Sequence, residues 1–246
     1  MDKALYIAMT GAKHNMLAQT AHSNNLANAN TSGFRADFAQ ARSMGVYYGE
    51  GHPTRAYSLT ERPATDFRPG TVMETGRELD VAIQGEGFIA VESDTGEVGL
   101  TRAGNLYIDT AGILRTGANQ PVLGSGGPIS IPPAEKIDIG KDGTISVVLA
   151  GGGREPQVLD QIRLVNPAAE DLVKREDGLV YVKDGGQAAI DLNVTLLAGF
   201  TESSNVNTVH EFTEILSKSR QYEMQLKLMK TVERNSETSA RLLQMS

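Results

Sequence analysis

Apolar side chains near the start of the chain recur at Leu5, Met9, Ala12 and Met16, and this spacing of four, three and four predicts an α-helix with a single seam. The same register passes through the polar Gln19 and Ser23 before it reaches Leu26, so the seam weakens in its second half. Gly11 is the only Gly or Pro in residues 1–29. The following AHSNNLANANTSGFRADF concentrates Asn, Ser, Thr and Gly, residue types that end helices, and puts the break at residues 31–34. From about Gly45 to Gly199 the pattern shortens to period two. Leu79, Val81 and Ile83 alternate with Asp80, Ala82 and Gln84, and Phe88, Ala90 and Glu92 continue after a GEG turn. Residues 105–115 read as a hairpin turning at 110–112. Asp142-Gly143 before TISVVLA signals another, and LDQIRLV and GLVYVKD supply further strands. VLGSGGPISIPP and the triple glycine at 151–153 read as connections.

Gly and Pro vanish again from Glu202 to Gln244, and a 3-4 register runs through Phe212, Ile215, Ser219, Tyr222, Leu226, Met229, Glu233, Ser236, Ala240 and Leu243. Val209 and Leu216 widen that stripe. Acid-to-base pairs at i,i+4 spacing, Glu214 with Lys218, Glu223 with Lys227 and Glu237 with Arg241, support an exposed helix. Ser203 or Ser204 is the expected N-cap. A helix of about 40 residues is about 60 Å long, too long for a globule of this size.

The order helix, β region, helix predicts an α+β chain: long N- and C-terminal helices forming a coiled-coil-like layer, with a mostly antiparallel β body, barrel or sandwich, between them. The expected divisions are an N-terminal helix over 1–33, an extended linker and β segment over 34–78, a β-rich body over 79–199 and a C-terminal helix over 200–246. The two terminal seams can pair with each other, but one pair hides only a narrow stripe of each helix. The uncovered flanks predict an oligomer or polymer.

Charge and composition narrow the function. The 246 residues carry 23 Lys and Arg against 30 Asp and Glu, a net charge of −7. The first 45 residues hold +2 and the C-terminal helix is balanced, which leaves about −9 on the β region. That balance disfavours nucleic acid and anionic membrane surfaces as partners. The absence of cysteine removes disulfides, thiolate nucleophiles and Cys-based metal sites. No run approaches the roughly 18 apolar residues of a membrane span, and the opening MDKALYIAMTGAKHNM lacks the form of a cleaved secretory signal, so export would use another route.

Motif by motif, catalysis finds little support. Gly85-Glu86-Gly87-Phe88-Ile89-Ala90 fits a loose dinucleotide fingerprint, but VESDTGEV cannot open the helix that would receive a pyrophosphate, so a β-turn is expected. His210-Glu211 begins a zincin motif whose second histidine is replaced by Glu214, which predicts solvated helix surface. His14, His22 and His52 are scattered, and no serine or aspartate has a nucleophile context. Glu50, Asp80 and Glu86 are eligible acids with nothing to single them out. No catalytic residue, metal site or cofactor is expected.

At NNLANANTSGFRADF, residues 24–38, the chain resembles the flagellar basal-body rod and hook family, in which a helix ends at an ANxxTxGF-type turn. LDVAIQGEGFIAV, TRAGNLYIDTAGILRT and the tail ESSNVNTVHEFTEILSKSRQYE extend the resemblance over nearly the whole chain, and the opening MDKALYIAMTGA is most similar to the proximal rod members. The resemblance implies a non-enzymatic subunit of a hollow axial tube that crosses the periplasm, transmits torque and leaves a channel for exported subunits. It implies export through the flagellar type III apparatus, with other rod subunits, further copies of itself and the basal-body rings as partners. On that basis Leu5, Met9, Ala12, Met16, Leu26, Phe212, Ile215, Leu216, Tyr222, Leu226 and Met229 are the expected interface residues. Asn24, Asn25, Leu26, Ala27, Asn28, Thr31, Gly33 and Phe34 form the turn motif, with Asn30 beside them. The alternatives are a distal rod subunit and, in another class, a periplasmic protein that binds or acts on peptidoglycan.

Overall fold

The computed structural model describes residues 3–38, 41–45, 56–60, 64–149, 155–186 and 188–244. Glu50, His52 and the triple glycine at 151–153 lie outside these. The chain divides into two compact units: the first is Met1–Ala27, Ala36–Asp66 and Val206–Ser246, the second Asn28–Arg35 and Phe67–Asn205. Together they make an α+β protein, with two long helices and strand pairings that are antiparallel among the described residues.

In the first unit α1 (Lys3–Ala27) is followed by β1 (Asp37–Phe38), β2 (Ala41–Gly45), β3 (Ala56–Thr60), β4 (Ala64–Thr65) and α2 (Thr208–Gln244). β1 pairs with β4 and β2 with β3. The 37 residues of α2 span about 55 Å at 1.5 Å per residue. Helix α1 stops at Ala27, four residues before the expected break, because the turn begins at once: the Thr31 N–H bonds the Asn28 carbonyl at 3.1 Å. Helix α2 starts later than expected, and its cap is Asn207. Its Oδ1 accepts the N–H groups of Val209 and His210, each at 3.1 Å. Ser203 is committed elsewhere, its Oγ accepting the Thr71 N–H.

The second unit carries β5 (Val72–Glu74), β6 (Val81–Gln84), β7 (Phe88–Glu92), β8 (Val98–Thr101), β9 (Leu106–Ile108), β10 (Leu114–Thr116), β11 (Ala134–Ile139), β12 (Thr144–Leu149), β13 (Gln157–Gln161), β14 (Leu164–Val165), β15 (Leu172–Lys174), β16 (Val180–Val182), β17 (Thr195–Ala198) and β18 (Phe200–Glu202). Its largest sheet has the order β14-β7-β8-β16-β15, beside the three-stranded β11-β12-β13 and the pairs β9 with β10, β6 with β17 and β5 with β18. The hairpins expected at 105–115 and at Asp142-Gly143 are present as β9 with β10 and β11 with β12. The GEG turn does not make a hairpin: β6 pairs with β17, whereas β7 pairs with β14 and β8. Nor does β7 alternate between core and solvent. Ile89 and Val91 enter the larger apolar cluster with Val81, Leu106, Leu114 and Ile145, while Phe88 and Ala90 enter a second with Leu100, Val165 and Val180. A strand with a core on each side reads as a continuous apolar run.

Aspartates pin the turns of this unit. Asp109 Oδ1 accepts the N–H groups of Ala111 and Ile113, and its Oδ2 accepts Arg115 Nε at 2.7 Å. The Arg115 contact is the main reason that its carboxyl titrates below the ordinary 3.8. Asp142 is lowered chiefly by the Thr144 hydroxyl, 2.6 Å away. Burial pushes Asp160 up, but hydrogen bonds from Ser125 and Gln161 outweigh it and leave it lowered. A lowered folded value contributes stability that is present above the unfolded pKa and lost as pH falls through the folded one. The thermal midpoint of the chain, followed by circular dichroism, is therefore expected to decline as pH drops below 3.8, and to decline less steeply in Asp109→Asn. A midpoint indifferent to acid would contradict this reading.

Candidate subunit interface and turn clamp

Within the first unit α1 and α2 pack together. On α1 the buried line is Ala8, Ala12 and Asn25, with Gly11, Asn15 and His22 beside it at helical spacing. A β-carbon on Gly11 would stand 2.6 Å from Gln225 Nε2, the flexible end of a side chain that would have to turn aside. His22 Nδ1 meets Glu211 Oε2 at 2.6 Å, and Glu211 is only 6% exposed. Glu211 is thus not the solvated helix surface that its sequence context suggests. An open cavity of about 330 Å³ lies farther along the pair, lined by Asn15, Gln221, Met224, Gln225 and Leu228. Asn25, 1% exposed, holds the backbone of Asp37 on both sides: Nδ2 donates to its carbonyl and Oδ1 accepts its N–H, each at 2.9 Å.

Many large apolar side chains of both helices remain exposed, Met224 and Leu228 among them in the lining of this cavity. Tyr6, Met9, Met16 and Leu17 are exposed on α1, and Val209, Phe212, Leu216, Met224, Leu226 and Leu228 on α2. Of the expected interface residues, Ala12 lies in the helix contact, and Leu5, Leu26, Ile215, Tyr222 and Met229 are half-buried. Met9, Met16, Phe212, Leu216 and Leu226 face solvent, Met16 at 61% and Phe212 at 54% exposure. The register read from Leu5, Met9, Ala12 and Met16 therefore lies roughly one residue position around α1 from the buried line. Apolar periodicity alone finds the large side chains, and here the most buried positions of α1 are Ala8, Ala12 and Asn25.

The turn motif enters the second unit at Asn28, where Thr31 closes on it through backbone and side chain, Thr31 Oγ1 donating to Asn28 Oδ1 at 3.1 Å. Gly33 has φ +69°, and a β-carbon would lie 2.2 Å from the carbonyl carbon of Arg102. Phe34 packs under the Lys174 ammonium, 3.9 Å from the ring centre, and Lys174 Nζ donates to the Arg35 carbonyl.

This motif folds around a buried carboxylate that the sequence did not single out. Glu202, 1% exposed, ends β18. Its Oε1 meets Arg35 Nη2 at 2.5 Å and accepts the Gly70 N–H at 2.7 Å, and its Oε2 accepts Arg102 Nη1 at 2.8 Å. Its carbonyl accepts the Gly33 N–H at 2.8 Å and the Ser32 hydroxyl at 3.0 Å. Arg102 spends its remaining donors on the carbonyls of Gly85 and Gly87, which is what the GEG sequence provides in place of a nucleotide loop. Arg35 and Arg102 are 3% and 5% exposed, so two guanidiniums and one carboxylate are withdrawn from water together. Removing one member of such a group leaves the others buried without their counter-charge, which costs several kcal/mol.

No helix of the described residues is long and apolar enough to cross a membrane, and no group of three or more metal-ligating side chains occurs among them. Three family models match the chain: flagella basal body rod protein over residues 5–35, flagellar hook protein FlgE/F/G D1 domain over 82–147, and flagellar basal body rod FlgEFG protein C-terminal over 197–242. Arg35, Arg102 and Glu202 each fall in a different one of these stretches. The flagellar basal-body rod protein FlgF of Salmonella typhimurium is 35% identical, and that of Escherichia coli 34%, over 100% of both chains. The flagellar basal-body rod protein FlgG of Bacillus subtilis is 32% identical over 94% of this chain and 95% of its own.

Two substitutions test the geometry. Gly33→Ala forces a β-carbon into the Arg102 backbone at positive φ and is expected to destabilise the second unit by about 1–3 kcal/mol in denaturant unfolding. Asn25→Ala removes both bonds to Asp37 at a buried position, for about 1–3 kcal/mol, and should speed amide exchange at residues 36–38. Unchanged unfolding of the first, or unchanged exchange in the second, would refute the corresponding contact.

Proposed function

The chain belongs to the flagellar basal-body rod protein family, and from that premise we propose that it is a non-enzymatic subunit of the proximal rod, assembling with other rod subunits and with copies of itself into a hollow tube. A structural role in the rod is what the family membership carries. The proximal position is supported by relatives named FlgF that match from end to end. The distal position is the second reading, favoured by the match to FlgG. In this proposal the terminal segments 1–33 and 200–246 form the axial core as a coiled-coil-like layer, and the tube crosses the periplasm, carries torque and leaves an export channel. Export through the type III apparatus and contact with the basal-body rings belong to the same reading.

The observation that carries it is the set of large apolar side chains that the helix pair leaves in solvent. Met9, Met16, Phe212, Leu216 and Leu226 are exposed, while Leu5, Leu26, Ile215, Tyr222 and Met229 are only half-buried. A helix pair that folded for itself alone would cover more of this surface. Packing helices of neighbouring subunits against it would recover about 1.5 to 3 kcal/mol for each large side chain fully covered.

Leu226→Asp tests this reading. Leu226 is already 37% exposed, so the isolated chain should keep its fold and its unfolding midpoint. In cells carrying only this variant, it should be missing from purified basal bodies, and swimming should stop. Normal motility with the variant would sink the proposal.

A further inference from the structure

The second unit consists of two chain segments, Asn28–Arg35 and Phe67–Asn205, and so has four chain ends. Within a few residues of each end, the chain is bonded to Glu202 or to its immediate neighbours. The segment that begins at Asn28 reaches Glu202 through Ser32 and Gly33, and the same segment ends on Arg35, which pairs with the carboxylate. The segment that begins at Phe67 reaches it through Gly70, and the neighbouring Thr71 is tied to Ser203: the Thr71 N–H bonds the Ser203 hydroxyl and the Ser203 N–H bonds the Thr71 carbonyl. At the last end, Asn205 donates its backbone N–H to Phe34 and its side-chain Nδ2 to the Arg68 carbonyl. The backbones approach so closely that a β-carbon on Gly70 would lie 2.0 Å from the Ser203 carbonyl oxygen. Arg102 then joins this knot to the β body through Gly85 and Gly87.

We propose that Glu202 is the residue on which the chain ends of the second unit converge: its carboxylate and carbonyl hold the ends at Asn28, Arg35 and Phe67 to its own segment, whose end at Asn205 is tied back to Phe34 and Arg68, and Arg102 joins them to the β body, so that a pull or twist arriving along any end is shared by the others. The part of this that concerns torque rests on the rod reading given above. The part that concerns the ends does not. Each end is held by only one or two bonds, but those bonds share one residue, so loosening Glu202 loosens every end together. Glu202 acts here as a positioning residue, since nothing in the proposal requires it to touch another subunit.

The test uses the full chain with Glu202→Gln, which keeps the side-chain shape and the acceptor for Gly70 but removes the negative charge. In amide hydrogen exchange, residues 28–35, 67–71 and 202–205 are expected to exchange about tenfold faster or more, while β7, β8, β9 and β12 keep their protection. Cells carrying the variant are expected to swim normally in dilute medium and to lose rotation as medium viscosity is raised. Val147→Ala, a cavity in the β12 strand far from Glu202 in the sheet order, is the control. It should lower the unfolding midpoint without the selective exchange pattern and without load sensitivity. Should Glu202→Gln fail to fold, Arg35→Lys, which keeps the charge but loses the planar fork, is read by the same criteria. An exchange increase that is absent or spread evenly over the unit, or rotation that survives high load, overturns the proposal. If the exchange response is selective but Leu226→Asp cells swim normally, the rod reading has failed and the torque part falls with it, while the holding of the four ends stands. A missing response beside non-motile Leu226→Asp cells condemns the role of Glu202 alone.

Discussion

A carboxylate taken out of water must be surrounded by donors, and the environment that Glu202 demands organises much of the second unit. Two arginines, a glycine N–H, a serine hydroxyl and a second glycine N–H converge on one residue at the end of β18. That convergence fixes where the turn motif lies, why Gly33 and Gly70 have no side chain, and what the carbonyls of the GEG turn are for. An apolar cluster of equal volume could be as stable. It could not specify direction in the same way, because dispersion contacts tolerate sliding and a bonded guanidinium fork does not.

The helices of the first unit follow the opposite economy. Ala8 and Ala12 are buried on α1, and His22 reaches Glu211 on α2. Leu5, Leu26, Ile215, Tyr222 and Met229 are only half-buried, and Met9, Met16, Phe212 and Leu216 are exposed. The helix pair thus leaves a large apolar surface in water.

The architecture was largely legible in the sequence, since Gly and Pro mark the β region so sharply that the two helices stand out by their absence. Turn chemistry also read well: Asp142-Gly143 and the 109–112 turn are where local rules put them. What escaped was everything decided by residues far apart. On its alternate residues Phe88, Ala90 and Glu92 the β7 strand reads as if one face met solvent, but Ile89 and Val91 between them enter one apolar cluster and Phe88 and Ala90 another, so both faces are buried. Ser203 reads as a helix cap until Thr71 claims it, and Asn207 takes over. Arg35, Arg102 and Glu202 look like ordinary surface charges, because nothing local distinguishes a charge that will be buried with partners 100 residues away. The turn motif was visible as a motif, but its purpose was not.

The knot around Glu202 also sets an order of events. Ser32 and the carbonyl it bonds are 170 residues apart, and Arg102 and Glu202 are 100 apart. A chain delivered from its N-terminus, whether by a ribosome or through a narrow conduit, exposes Arg35 and Arg102 long before their common partner arrives. Until then the two guanidiniums remain solvated and the turn motif has no anchor, so the segments that end at this point stay pliable. Closure waits for β18 and then engages every segment at once. The last strand of the second unit therefore acts as its completion signal: the turn motif and both arginines are fixed only when Glu202 joins them.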